Sequence, residues 1–246
     1  MSNSEKFLAT FSNVEKWLVQ KANLGRHCGF ISLLNNVKEK DAVVRRFLDD
    51  LRQFAELRNV IVHNRRGGKI IAEPNDEVVA EFIRIYQSLT TPPKVMPCFA
   101  IKVEVKSVND SIADALKTMR LGDFSQLPIL ADGKVIAVLT SKTVVRWLAS
   151  ELENDVVSLL DTTIQTVLTH LEDRDHYAFL SSRSTLYEVI ALFDDFSKRG
   201  KELDAVLITA SGKANSDLKG ILTVFDFPLI LQELHRYEPN SVGAEK

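Results

Sequence analysis

Apolar residues fall at helical spacing in the front of the chain and at strand spacing further on. Phe7, Phe11, Val14 and Leu18 predict a first helix, with Ser4, or Ser12 followed by Glu15, as a cap near its start. A second apolar segment, Phe30 to Leu34, follows Gly25 and Gly29. Between Glu39 and His63, a single stripe of Val44, Phe47, Leu48, Leu51, Phe54, Ala55, Ile61 and Val62 predicts one long core helix, ended by Arg65-Arg66-Gly67-Gly68. After a short apolar Ile70-Ile71-Ala72 and a turn at Pro74, Asp76 to Leu89 reads as another amphipathic helix with Val78, Val79, Phe82, Ile83 and Tyr86 inward. Thr90-Thr91-Pro92-Pro93 stops it, and the paired prolines stiffen the chain into a domain boundary.

Beyond that boundary the period changes. Ile101, Val103 and Val105 alternate with charged residues as in a strand, and Asp110-Ser111 caps a helix bearing Ile112, Ala115, Leu116 and Met119. Leu127 to Leu130, a turn at Asp132-Gly133 and Val135 to Leu139 form a strand-turn-strand that leads into a helix from Val144 to Leu152. The same order then returns: Ala178 to Leu180, the capping pair Ser184-Thr185, a helix from Leu186 to Phe196, a strand from Ala205 to Ile208, a turn near Ser211-Gly212, and a strand from Gly220 to Leu222. Ile112 matches Leu186, Ile129 matches Leu207, and Thr140 matches Thr223. The expected fold class is therefore α+β multidomain, an all-α helical bundle joined to a repeated β-α-β-β-α module. Its expected divisions are a helical domain over 1–91, a Pro-rich linker over 92–97, a repeat pair over 98–236 with units of about 98–155 and 156–236, and a flexible tail over 237–246.

Composition allows this and narrows the setting. The 246 residues are 45% hydrophobic, enough for a core in each domain. No apolar run reaches the roughly 18–20 residues of a membrane helix, and Met1 to Lys6 lacks a signal-peptide layout, so a cytoplasmic protein with no membrane partner is expected. Cys28 and Cys98 stand apart, which predicts buried free thiols and neither a disulfide framework nor a metal site. The net charge of -2 is unevenly spread: residues 1–97 hold 15 Lys and Arg against 11 Asp and Glu, the remainder 16 against 22. The basic front is compatible with a polyanion such as RNA, and the acidic back argues against a nucleic-acid surface there.

The repeat also carries chemistry. Lys219 to Phe227 reads Lys-Gly-Ile-Leu-Thr-Val-Phe-Asp-Phe, and Lys134 to Val145 repeats its skeleton with Ala137 at the glycine position and Thr143 at the acid. A threonine at a strand end beside a helix start offers a hydroxyl and backbone N–H groups to a phosphate or ribose oxygen. A carboxylate three residues on can accept hydrogen bonds from ribose hydroxyls. With its repeated element order, the region from about 95 to 235 resembles a pair of cystathionine-beta-synthase-type (CBS) domains, modules that bind adenine nucleotides or related adenosyl compounds in clefts between the two units. The resemblance implies a regulatory adenine nucleotide (AMP, ADP or ATP) held by Thr223 and Asp226, with Ser184 and Thr185 near its phosphate, and a first cleft emptied of its ribose clamp. Asp226 also has a purely structural reading, as a carboxylate that complements a helix N-terminus.

The front half holds a second motif, Arg58-Asn59 followed by His63. His63 has the intrinsic acid-base range for proton transfer, Arg58 a fork that suits phosphate, and Asn59 shares a helical face with His63. Arg58 and His63 lie about 140° apart around an ideal helix, so bringing them together takes either an unwound last turn or the pairing of two protomers. This Arg-Asn-x-x-x-His motif in a helical domain resembles the HEPN superfamily, many of whose members are metal-independent endoribonucleases with a composite cleft at a dimer interface. The resemblance implies a homodimer, RNA as substrate, no metal, and Arg58, Asn59 and His63 as the catalytic set. Cations near a helix C-terminus are equally what dipole complementarity favours, and Asn64 is an ordinary C-cap. His27, His170, His176 and His235 read as structural or exposed, and Trp17 and Trp147 as packing residues.

Three functions follow from these readings. One is an adenine-nucleotide-regulated endoribonuclease. Another is a sensor whose helical domain only dimerises or recruits a partner, and the last is a CBS pair used as a dimerisation module with empty clefts.

Overall fold

The computed structural model describes residues 1–23, 28–63, 65–66, 69–70, 72–152, 158–171 and 176–236. Of the expectations above, His27, Asn64 as a cap, the Gly67-Gly68 stop, Ile71 and the tail 237–246 lie outside these residues. The chain divides into two compact units. The first comprises Met1–Pro93, Thr185–Ala191 and the chain from Gln232, and the second comprises Lys94–Ser184 and Leu192–Leu231.

In the first unit, α1 (Asn3–Ala22), α2 (Phe30–Val37), α3 (Ala42–Arg46), α4 (Leu48–His63) and α5 (Asp76–Thr90) surround an aromatic centre. Phe82 sits in its middle, fully buried, with ring centroids of Phe7, Phe54 and Phe11 at 4.9, 4.4 and 6.2 Å. The cap of α1 is neither Ser4 nor Ser12 but Ser2, whose Oγ accepts the Glu5 N–H at 3.2 Å while Glu5 Oε2 accepts the Ser2 N–H at 2.9 Å. Ser2 has a glutamate three residues on, which closes this reciprocal box, whereas Ser4 has Phe7. The buried Ser4 instead donates its N–H to Glu73 Oε1 at 3.0 Å, and these Ser4 hydrogen bonds hold the Glu73 carboxyl below its usual range.

The predicted long helix is two. Asp41 Oδ1 accepts the N–H groups of Val43 and Val44 at 3.0 and 3.2 Å and so starts α3, and Phe47 then leaves helical geometry at φ -104°, ψ 22°. The chain re-enters a helix at Leu48 with Asp49 and Asp50 in its first turn, where acids complement the dipole. Burial raises the Asp50 carboxyl above its ordinary value, the Asp49 charge adds to this and Arg46 opposes it. The apolar stripe could not reveal the break, because it keeps its phase across a single non-helical residue. On α5 the fully buried positions are Val79, Phe82, Ile85 and Leu89, with Val78, Ile83 and Tyr86 at the edges of that face. Two two-residue strands, β1 (Arg65–Arg66) and β2 (Lys69–Ile70), pair antiparallel where the sequence suggests only a helix end.

The second unit begins with a single bent turn, α6 (Val95–Cys98), and Cys98 is exposed, contrary to the buried thiol expected; Cys28 is half-buried. The expected strand from Ile101 to Val105 is also corrected, since only Lys106–Ser107 (β3) pairs, and Ile101 is exposed. From there the repeat holds: β3, α7 (Ile112–Gly122), β4 (Gln126–Ala131), β5 (Lys134–Thr140) and α8 (Ser141–Glu151). After the short α9 (Ile164–Leu168) come β6 (Tyr177–Ser181), α10 (Leu186–Lys198), β7 (Ala205–Thr209), β8 (Leu218–Leu222), a 3-10 turn at Val224–Asp226 and α11 (Phe227–Arg236).

Each repeat builds a three-stranded sheet, in the orders β3-β4-β5 and β6-β7-β8, with the first pair parallel and the second antiparallel. Register makes the correspondence exact to the residue. Leu127 pairs with Leu139 and Val206 with Leu222, and each ladder slips at the same place, between Ile129 and Leu130 and between Ile208 and Thr209. Ile129 therefore corresponds to Ile208, one residue beyond the Leu207 that sequence matching picks. The two sheets meet through Val135, Val138, Ala205 and Leu207, and Trp147 fills the first repeat's own core with Ile112, Leu127 and Ile164.

The same register pairs Ala137 with Gly220. A Cβ on Gly220 would stand 2.8 Å from the Phe99 carbonyl oxygen, a backbone atom with little freedom to retreat. Gly220→Ala is expected to cost about 1–3 kcal/mol, as overpacking does. A denaturation midpoint within error of the parent would show that the Phe99 segment is not held there.

Candidate functional site

Strand β8 ends at Leu222, and Thr223 takes an extended conformation before the 3-10 turn. Its hydroxyl oxygen accepts the Phe225 N–H at 3.3 Å. Asp226 Oδ2 accepts the Thr223 N–H at 2.7 Å and the Thr223 hydroxyl at 3.1 Å. The structural reading of Asp226 is thus realised: it closes a capping box at the entry to α11. Only Oδ2 is so engaged. Among the described residues Oδ1 has no partner, and a carboxylate oxygen carries two acceptor positions, so this side chain keeps capacity for hydroxyl donors while it caps.

Thr223 and Asp226 line a cavity of about 810 Å³, within the range of small-ligand sites. Ile221 and Phe225 flank them, and most of the remaining wall comes from the first repeat. The end of α7 and the turn after it supply Leu116, Met119, Arg120, Asp123 and Phe124; Gln126 and Pro128 of β4, the segment Ile101–Glu104, Ser125 and Ser141 add to it. Sequence reading missed these residues because they sit far along the chain from Asp226 and form no motif of their own. One local signal existed at Gly122, where the Phe124 ring occupies the space any Cβ would take, so a glycine there lets an aromatic fold back onto the cavity wall.

The first repeat presents the matching site with different chemistry. Thr140 and Thr143 are both buried, their hydroxyl oxygens lie 3.0 Å apart, and the Thr143 N–H donates to Thr140 Oγ1 at 3.2 Å, so the cap forms without an acid. They line a cavity of about 240 Å³ with Lys142, Leu171, His176, Gly200, Lys201, Glu202 and Asp204. Lys142 Nζ and Glu202 Oε2 pair at 2.6 Å, and His176 Nδ1 lies 2.9 Å from Asp204 Oδ2. Symmetry of fold does not extend to the sites: one cleft is large and has Asp226 at its rim, the other is small, with Lys142 paired to Glu202 and His176 beside Asp204 along its wall.

Residues 102–150 match the family model of the CBS domain. No curated protein matches the chain. Among solved structures, it is similar to a CBS domain-containing protein of unknown function from Kribbella flavida, at 17% identity over 57% of this chain and 96% of that one, TM-score 0.41. It is also similar to CBSX2 in complex with AMP, at 15% identity over 58% of this chain and 99% of that one, TM-score 0.43. A third is a protein of Methanocaldococcus jannaschii named as a candidate archaeal homolog of γ-AMPK, at 14% identity over 73% and 63% of the two chains, TM-score 0.45. The CBS match covers β3 to α8, and the second repeat has the same element order and register slip.

Ser184 and Thr185 are not among the residues lining the larger cavity. The buried Ser184 bonds through its backbone, N–H to Ser181 and carbonyl from the Val95 N–H. Thr185 forms a capping box with Glu188, each accepting the other's N–H, at 3.2 and 2.7 Å.

In the helical unit, Arg58 and Asn59 lie together on α4. Arg58 Nη1 donates to Asn59 Oδ1 at 3.2 Å, and the guanidinium lies 5.8 Å from the Phe11 ring centroid, which itself stacks on Phe30 at 4.4 Å. These residues line a groove of about 300 Å³ with Glu15 and Ile31. His63 is exposed at the far end of α4 and does not line that groove. Among the described residues no hydrogen bond joins Asn59 to His63; Asn59 is turned to Arg58 instead. Also among them, no group of three or more His, Cys, Asp or Glu could hold a metal ion, and no helix is long and apolar enough to cross a membrane.

Proposed function

We propose that this chain is an adenine-nucleotide-responsive regulatory protein of the cytoplasm, acting as a homodimer. Its ligand occupies the cleft at Thr223 and Asp226 and biases the state of the helical domain over residues 1–91. The observation that carries the reading is the 810 Å³ cavity with the unengaged Asp226 Oδ1 at its edge. Ile101, Val103, Leu116, Met119 and Ile221 offer apolar walls for a base, and Asp226 offers an acceptor for the ribose. Regulation requires the ligand to bind two arrangements unequally, since a ligand with equal affinity for both shifts nothing. Thermal-shift and titration measurements with adenosine, AMP, ADP, ATP and S-adenosylmethionine test it; no shift and no heat from any of them ends it.

For the output, one reading is the HEPN-like one: metal-independent RNA cleavage with His63 in proton transfer, Arg58 on the phosphate and Asn59 beside it. The separation of His63 from the Arg58 groove within one chain is what a two-chain composite cleft would have. It equally favours a second reading, in which the helical domain dimerises or recruits a partner and does no chemistry. His63→Ala discriminates them. Because His63 is exposed, the variant should melt with the parent, and RNA cleavage should disappear if His63 moves a proton. Intact RNA under every nucleotide condition leaves the non-catalytic reading standing.

A further inference from the structure

A third cavity, of about 410 Å³, adjoins both clefts and contains neither threonine pair nor Asp226. It shares Gln126 and Phe225 with the larger cleft, and Lys201, Glu202 and Asp204 with the smaller. Three phenylalanine rings line it. Phe193, in α10, is buried, and its ring meets that of Phe227, the first residue of α11, edge to face at a centroid distance of 5.1 Å and an interplanar angle of 77°. Two rings set nearly at right angles make a corner. Phe225, in the turn before α11, is 77% exposed, and among the described residues its ring has no aromatic or cationic neighbour. A free aromatic face therefore stands at the edge of the cavity.

The charges lining this cavity are three acids, Asp194, Glu202 and Asp204, against one cation, Lys201. Glu202 is paired with Lys142, and Asp204 lies 2.9 Å from His176 Nδ1. Asp194, next to Phe193 and exposed, has no hydrogen-bond or ion-pair partner among the described residues. The electron-rich face of a phenyl ring attracts a cation, most strongly one that has shed its water. An alkylated ammonium sheds water readily, because its charge is spread over methyl groups that also pack against the rings. A compact metal ion holds its water more tightly and wants oxygen ligands instead, and an anion meets three carboxylates. We propose that this cavity binds a small organic cation with an alkylated ammonium head, held against the Phe225 and Phe227 rings with Asp194 as its countercharge. The assignment does not depend on what occupies the cleft at Thr223 and Asp226.

Calorimetric titration of the full chain with choline, with tetramethylammonium and with dimethylbutanol tests this, the last being the uncharged alcohol in which carbon replaces the nitrogen of choline. Choline should bind at least about 5-fold more tightly than the alcohol. Phe225→Leu keeps an apolar side chain and removes the aromatic face; it should weaken choline by about 3- to 20-fold and leave the alcohol within about 2-fold. Asp194→Asn should weaken choline by about 2- to 5-fold, an effect that shrinks as salt is added. Phe225 and Asp194 are both exposed, so each variant should melt with the parent. Equal binding of choline and the alcohol overturns the proposal, as does a Phe225→Leu variant that binds choline like the parent. Absence of saturable binding by both choline and tetramethylammonium overturns it outright.

Discussion

Asp226→Ala should lower the affinity for an adenosine ligand by roughly 10- to 150-fold, the range given by loss of hydrogen bonds to a charged acceptor. The capping task that the structure shows and the ligand task proposed above can be measured apart. Oδ2 holds the Thr223 N–H and hydroxyl, so the alanine variant also loses a helix cap, about 1 kcal/mol of stability. Asp226→Asn retains an oxygen acceptor for the Thr223 N–H and should recover most of that stability. It should still bind at least about 5-fold more weakly, because the charge is gone and an amide donor replaces one oxygen. Titration and thermal melting on both variants decide the matter. A lower melting temperature with unchanged affinity would mean that Asp226 is a cap and nothing more.

Phe82→Ala should remove about 3–5 kcal/mol from the helical unit, the usual cost of deleting a fully buried aromatic ring. Phe82 has no solvent exposure and its ring touches Phe7, Phe11 and Phe54, so the cavity is bordered by other rigid rings that cannot collapse into it. Phe82→Leu keeps most of the volume and should cost less than about half as much. Chemical denaturation followed separately for each unit is the measurement, since a chain of two units need not unfold in one step. A loss below about 1 kcal/mol would mean that the aromatic centre is loosely packed.

Much of the fold was legible because periodicity reports burial. The strand and helix order of both repeats, and the helices of the front half, came from apolar spacing and from capping side chains such as Ser111, whose Oγ accepts the Asp114 N–H. What failed had specific causes. The break at Phe47 kept the apolar stripe in phase. Ile101 to Val105 alternates like a strand but finds no partner until Lys106. Ile129 was matched one residue short of Ile208, because apolar strands look alike under a shift of one and only register resolves them.

For the site, the motif end of the cleft was readable and the far wall was not. Thr223 and Asp226 stand three residues apart, whereas Arg120, Asp123 and Phe124 join them only through the packing of one repeat on the other. The Gly220–Ala137 difference has a packing cause that the sequence does not display: the Phe99 carbonyl fills the space a side chain at 220 would need.

The first cleft's buried threonine pair has a consequence for how a cell would use such a protein. With Thr140 and Thr143 bonded to each other and the cavity reduced to about 240 Å³, the proposed signal is read at one site per chain. A lone site needs an ~81-fold rise in free ligand to pass from one-tenth to nine-tenths occupied, unless copies of the chain are coupled. Within a chain, the proposed response to nucleotide would be graded like a dimmer, and any steepness would have to be built between chains.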